Sequence, residues 1–167
     1  LTNGTDYHFA VYAKDDAGNY SIAEVPFGSP VTPDTLTVTL SSSTAITDRT
    51  INPGDSATSS SAFTFQTNHS TTSIDTINVT LGTSSGLALV EIISSNGVTV
   101  YGSTTSLTAT TPTITLDMNT LVADTTLTEY KVRITPLSHV NMPAPAGGAY
   151  IYTTQISSWT QGTGAAT

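Results

Sequence analysis

The side chains able to do chemistry are few in this sequence, and their spacing does not gather them. Three histidines, His8, His69 and His139, are spread over 167 residues. None stands at the i, i+4 distance or a similar spacing that puts two imidazoles on one metal ion. Each reads as a strand or surface residue. Cysteine is absent, so there is no thiolate nucleophile and no thiolate ligand. Glu24, Glu91 and Glu129 are too scattered to suggest the paired carboxylates of a glycosidase, and Asp117 and Asp124 add no defined acidic pair. Two oxygen-rich turns are weighed for calcium: Asp15, Asp16 and Asn19, and Asp48 with Asp55 around Asn52-Pro53-Gly54. Neither has the spacing of an EF-hand loop, and ordinary turn chemistry accounts for both. The expectation is a chain that is not an enzyme, with no catalytic residue, no cofactor and no metal site.

Recognition chemistry has more material. Sugar-binding faces use exposed aromatic platforms, and Tyr101, Tyr150, Tyr152 and Trp159 are the candidates. Tyr150 and Tyr152 share one face of an extended run, although core packing explains them equally well. Four Asn-x-Ser/Thr triplets begin at Asn3, Asn19, Asn68 and Asn78. Ser and Thr make up about a third of the chain, so such triplets also arise by chance. They allow a glycan as a partner and do not establish one. The run Ser103 to Thr111 suits O-linked sugar on composition alone.

Charge and composition exclude other classes. The net charge is −8, with only four Lys or Arg residues, Lys14, Arg49, Lys131 and Arg133. Nucleic acid needs a cationic surface and is excluded as a partner. No apolar run approaches the ~20 residues of a membrane-spanning helix, so no transmembrane segment is expected. A chain without cysteine that is rich in Thr and poor in Lys points to an extracellular or cell-surface protein of bacterial or archaeal type.

The elements that carry these residues read as strands. Tyr7, Phe9, Val11 and Ala13 alternate with His8, Ala10, Tyr12 and Lys14, which assigns the two sets to opposite faces. Asp15-Asp16-Ala17-Gly18-Asn19 is a turn cluster. A weaker extended run, Tyr20 to Phe27, follows, with Pro26 marking an edge or a strand end. The pair makes a hairpin that is marginal alone and needs a sheet from elsewhere.

These residues resemble the end of a fibronectin type III domain. That family shows Leu-x-x-Gly-Thr-x-Tyr leading into x-Val-x-Ala, a Gly-Asn turn and a Ser. The matching positions are Leu1, Gly4, Thr5, Tyr7, Val11, Ala13, Gly18, Asn19 and Ser21. The resemblance covers residues 1 to about 33. It implies the last two strands of a sandwich, with Tyr7 as the corner tyrosine whose hydroxyl returns to the backbone near the strand start.

Beyond a stiff linker at 30–34, containing Pro30 and Pro33, a second domain is expected over 35–160. Leu36, Val38 and Leu40 share a face, as do Ile77, Val79 and Leu81. Further strands are expected at Ala62 to Gln66, at Leu87 to Ile93 across the centre of the core, and at Val98 to Tyr101 after an Asn96-Gly97 hairpin turn. Thr113 to Met118, Glu129 to Ile134 and Ala149 to Trp159 complete a set of roughly nine. Asn119 to Thr126 is given a short helical turn. Pro136 to Gly148 is a long connection without structure, carrying His139, Val140 and Met142. Loops of that length are often functional.

The sequence thus predicts an all-β chain: an antiparallel immunoglobulin-like β-sandwich preceded by a partial fibronectin type III hairpin at 1–29, with a tail at 161–167. The expected role is a structural, non-catalytic module of a surface layer, stalk, adhesin or filament, assembling with neighbouring copies by β-strand complementation. Tyr7, Phe9 and Val11, together with His139, Val140 and Met142, are the expected subunit contacts. The alternative is an ancillary or carbohydrate-binding module of a secreted carbohydrate-active enzyme.

Overall fold

The computed structural model describes residues 1–21, 25–26, 30, 32–144 and 150–162. Glu24, Phe27, parts of the expected linker, positions 145–149 of the long connection and the tail beyond 162 lie outside them. The chain divides into two compact units, Leu1–Leu36 and Thr37–Thr167. Among the described residues all regular structure is antiparallel β, with no helix.

In the first unit, β1 (Ala10–Val11) pairs with β2 (Val25–Pro26) as a two-stranded sheet. The turn cluster closes it. Asp15 accepts from the Asn19 backbone N–H at 2.8 Å and from the Asn19 side-chain amide at 3.0 Å. Gly18 donates to the Asp15 carbonyl at 3.0 Å with φ at +91°, a conformation that glycine adopts without a Cβ clash. Lys14 bridges to Tyr20 and holds its ammonium 5.4 Å from that ring's centre. Near the start of the chain, the Tyr7 hydroxyl accepts a hydrogen bond from the Thr2 backbone N–H at 2.6 Å.

Among its described residues the second unit has nine strands: β3 (Val38–Ser42), β4 (Thr58–Thr67), β5 (Thr72–Leu81), β6 (Leu87–Ser94), β7 (Val100–Thr104), β8 (Thr113–Thr115), β9 (Leu121–Ala123), β10 (Thr128–Pro136) and β11 (Thr154–Gln161). They form two sheets, one ordered β3-β4-β10-β6-β7, the other β11-β5-β8 with β9 also on β5. The apolar rows of both sheets meet in one core, which makes this unit a β-sandwich. In β10, Tyr130, Val132 and Ile134 are buried while Glu129, Lys131 and Arg133 between them are partly exposed, the period-2 pattern of a strand with one face inward. Ile77, Val79 and Leu81 supply the facing row from β5. Phe65 of β4 meets Trp159 of β11 edge-to-face across the layers at 5.6 Å, and within the first sheet Tyr101 of β7 meets Tyr130 of β10 at 5.5 Å. Each fully buried side chain of this size contributes roughly 1.5–3 kcal/mol. The Asn96-Gly97 turn forms as its residues require, with Gly97 at φ +79° donating to the Ser94 carbonyl at 2.9 Å.

Several expectations are corrected. The segment Asn119 to Thr126 contains the strand β9 and no helical turn. Leu121 and Ala123 are both fully buried and Val122 between them is exposed, an alternation a helical turn does not produce. The last strand begins at Thr154, after residues 150–153, which are not strand, although the Thr153 carbonyl already accepts from Gly82 N–H at 2.9 Å; the expected start at Ala149 lies outside the described residues. β8 stops at Thr115, because the Met118 and Asn119 N–H groups turn to the Tyr101 carbonyl instead of a ladder. β4 starts four residues early, at Thr58, since β10 is long enough to pair with its serines.

Hydroxyls fill the remaining register. Ser60 and Thr154 share a hydrogen bond of 2.8 Å, and Thr154 donates to Ser61 at 2.6 Å. This clasp joins β4 of one sheet to β11 of the other. On the second sheet, Asn78 donates to Ser158 at 2.7 Å and accepts from Thr113 at 2.5 Å. An amide bonded on both sides is not offered for glycosylation while the sheet is folded.

Candidate functional site

The residues able to do chemistry are held apart. His8 and His139 are exposed in different units, and His69 lies in the connection between β4 and β5, its Nε2 buried without a hydrogen-bond partner. Glu91 faces Arg133 across β6 and β10, in a bidentate pair of 2.7 and 3.0 Å. Those hydrogen bonds hold the arginine's pKa above its ordinary value, against the opposing effect of burial. Glu129 lies 3.9 Å from Lys131 and accepts from the Ser43 hydroxyl. The turns weighed for calcium use their oxygens internally, Asp15 on Asn19 and Asp55 on the Asn52 N–H at 2.7 Å. Asp124 likewise accepts the Thr126 N–H at 2.6 Å. Among the described residues no group of three or more His, Asp or Glu could hold a metal ion. Nor is any helix long and apolar enough to cross a membrane.

Two surfaces carry accessible aromatic and apolar side chains instead. The first is the hairpin. Tyr7 is half-buried, and the Thr2 hydrogen bond stabilises its phenolate and lowers its pKa. Phe9 and Val11, in the same row of the alternation, are 47% and 58% exposed. Tyr12 and Tyr20 are also exposed. Side chains from both rows of the alternation are therefore exposed among the described residues of this unit.

The second surface is a cleft of about 680 Å³ in the sandwich unit, built from the β3–β4 connection, the start of β4, the end of β10 and residues 150–153. The connection after β10 crosses from one sheet to the other, and it is anchored where Leu137 N–H donates to Gly86 and its carbonyl accepts from Gly54, each at 2.8 Å. His139 and Val140 project from the following turn, Val140 at 91% exposure. Met142 turns back into the cleft. The loop residues expected to act together are thus split, one inside and two outside.

Of the four aromatic candidates, Tyr101 and Trp159 are packed against the core. Tyr150 and Tyr152 line the cleft, their rings within 15° of parallel and 5.8 Å apart. Both hydroxyls are tied down, Tyr150 donating to the Pro143 carbonyl at 2.8 Å and Tyr152 to that of Ser85 at 3.2 Å. Burial, and secondarily the neighbouring Tyr150, raise the pKa of the Tyr152 phenol. Gly86, at φ +83°, lies so close beneath that a Cβ there would collide with the Tyr152 hydroxyl and the Met142 sulfur. Across the cleft, Arg49 donates from Nη2 to the Ser59 carbonyl at 3.0 Å. Arg49 and Gly86 were not legible as site residues: both sit in irregular segments where no periodicity assigns a direction.

Comparison with family models, with curated proteins and with solved structures finds no match to this chain.

Proposed function

We propose that this chain is a structural, non-catalytic module of an extracellular or cell-surface assembly such as a surface layer, stalk, adhesin or filament. Strands from a neighbouring copy or module complete the hairpin of the first unit. The observation that supports this reading is the exposure of Phe9, Val11, Tyr12 and Tyr20 on a hairpin that, among the described residues, is held by two ladder pairs and the Lys14–Tyr20 bridge. A two-stranded ribbon is marginal in water, and an unpaired edge readily takes a further strand. Covering each of these side chains stabilises the complex by roughly 1.5–3 kcal/mol. The fibronectin type III resemblance of residues 1–33 agrees with strands that pack in a sandwich.

The test is sedimentation and electron microscopy of the wild type and of a Phe9→Asp/Val11→Asp double variant. Concentration-dependent association lost in the variant, with the sandwich unit's unfolding transition unchanged, is the expected result. A wild type that stays monomeric, or a variant that associates as before, removes the complementation role.

A second reading, an ancillary carbohydrate-binding module, draws on a separate observation: the parallel Tyr150 and Tyr152 rings at an open cleft. Retention on insoluble polysaccharides tests it.

A further inference from the structure

We infer that the cleft beside Tyr150 and Tyr152 is a subsite for one neutral sugar unit of a glycan. This rests on the carbohydrate-binding reading and names its site and ligand class. Four features carry it.

The first is size. At about 680 Å³ the cleft falls within the range of small-ligand sites. The second is charge. The charged residues that line it are Asp48 and Arg49, one of each sign, in a chain whose net charge is −8. A phosphate or carboxylate ligand needs an excess of cations, and Arg49 is offset by its neighbour. A cationic ligand lacks an excess of acid for the same reason. The balance fits an uncharged ligand.

The third is the pairing of surfaces. Tyr150, Tyr152 and Met142 give an apolar wall, while Arg49 and the Ser59 hydroxyl give a polar side. A pyranose has the matching pair: C–H groups over its ring faces, which pack on aromatic rings, and hydroxyls around its edge. Those hydroxyls can accept from the guanidinium and donate to the Asp48 carboxylate. The fourth is rigidity. The two phenol hydroxyls are bonded to backbone carbonyls, and Gly86 leaves no gap behind Tyr152 and Met142. A wall fixed before binding loses little conformational freedom when a ligand arrives.

Affinity electrophoresis of the full chain in gels containing soluble neutral polysaccharides, one β-glucan, one xylan and one mannan, tests the inference, with an acidic polysaccharide as a fourth gel. Retardation is expected in at least one neutral gel, weakened about tenfold in apparent affinity by Tyr152→Ala. Arg49→Ala alters an exposed side chain and should weaken binding without touching the fold. Phe9→Asp/Val11→Asp should leave it unchanged. Retardation that survives both cleft variants overturns the site while the carbohydrate reading stands. No retardation in any gel removes both. Retardation confined to the acidic gel overturns the neutral class.

Discussion

The hairpin at Ala10–Pro26 and the sandwich of Thr37–Thr167 are written in the same alternating code and reach opposite ends. Tyr7, Phe9 and Val11 repeat with the same period as Tyr130, Val132 and Ile134. The second set is buried to within 3% of full coverage, while Phe9 and Val11 are 47% and 58% exposed. Alternation makes a ribbon with two different faces. Whether a face is buried depends on a second layer, and each sheet of the sandwich supplies that layer for the other. Among its described residues, the first unit has a sheet of two short strands and no second sheet. The lesson is that strand pattern sets which residues share a face, and sheet count sets what that face is worth.

The largest test of this contrast is paired truncation. Phe65→Ala removes a fully buried ring that touches Phe63, Tyr130 and Trp159. It should cost about 3–5 kcal/mol in urea unfolding. Phe9→Ala in the monomer should stay within about 0.5 kcal/mol. Similar costs for both would end the comparison.

Next in size is the Glu91–Arg133 pair. The glutamate side chain is only 10% exposed, so Arg133→Met leaves a carboxylate without its partner. A loss of roughly 3 kcal/mol is expected, largely recovered in Glu91→Leu/Arg133→Met. An equal loss in the double variant would mean that packing, not charge, holds this site.

A smaller effect follows from Tyr130. Its hydroxyl donates to the Val122 carbonyl at 2.9 Å, and burial pushes its pKa from 10.0 up to about 12. The folded value lies above the unfolded one. This contribution is therefore complete below pH 10 and is lost as pH rises through 12. Tyr130→Phe should flatten that alkaline decline, at a cost of about 1 kcal/mol for the lost hydrogen bond. An unchanged alkaline profile would sink the assignment.

The smallest effect belongs to the hairpin. Asn19 holds the Asp15 carboxyl below its ordinary pKa, so the turn's added stability is present above pH 3.8 and lost as pH falls through the lowered value. Amide exchange at Asn19 should quicken there, and Asp15→Asn should remove the step. The sandwich amides should not follow it.

How much of this was legible varied with length and register. Strands such as β10, with six residues of clean alternation at Glu129 to Ile134, and the Asn96-Gly97 turn could be read directly. β9 could not, because three residues carry too little period to separate a strand from a turn. The start of β4 was hidden because Thr58-Ser-Ser-Ser offers no apolar signal, and its pairing is imposed by β10. The Glu91–Arg133 pair is 42 residues apart in sequence and exists only once β6 and β10 take their register. Tyr150 and Tyr152 were visible as a pair, but the walls around them come from four separate segments.

One feature of the sandwich bears on how it would carry tension. Its first strand, β3, and its last, β11, stand at the edges of different sheets. Neither hydrogen-bonded ladder connects the point where the chain enters this unit to the point where it leaves. A pull applied at Val38 and Gln161 passes into β4 and crosses the core to reach β11. What resists is adhesion between layers, with Phe65 against Trp159 at 5.6 Å and the Ser60–Thr154–Ser61 hydroxyls bridging the gap. In a stalk or filament such a unit would bear load through its thickness, and loosening that clasp would lower the rupture force before it altered the fold at rest.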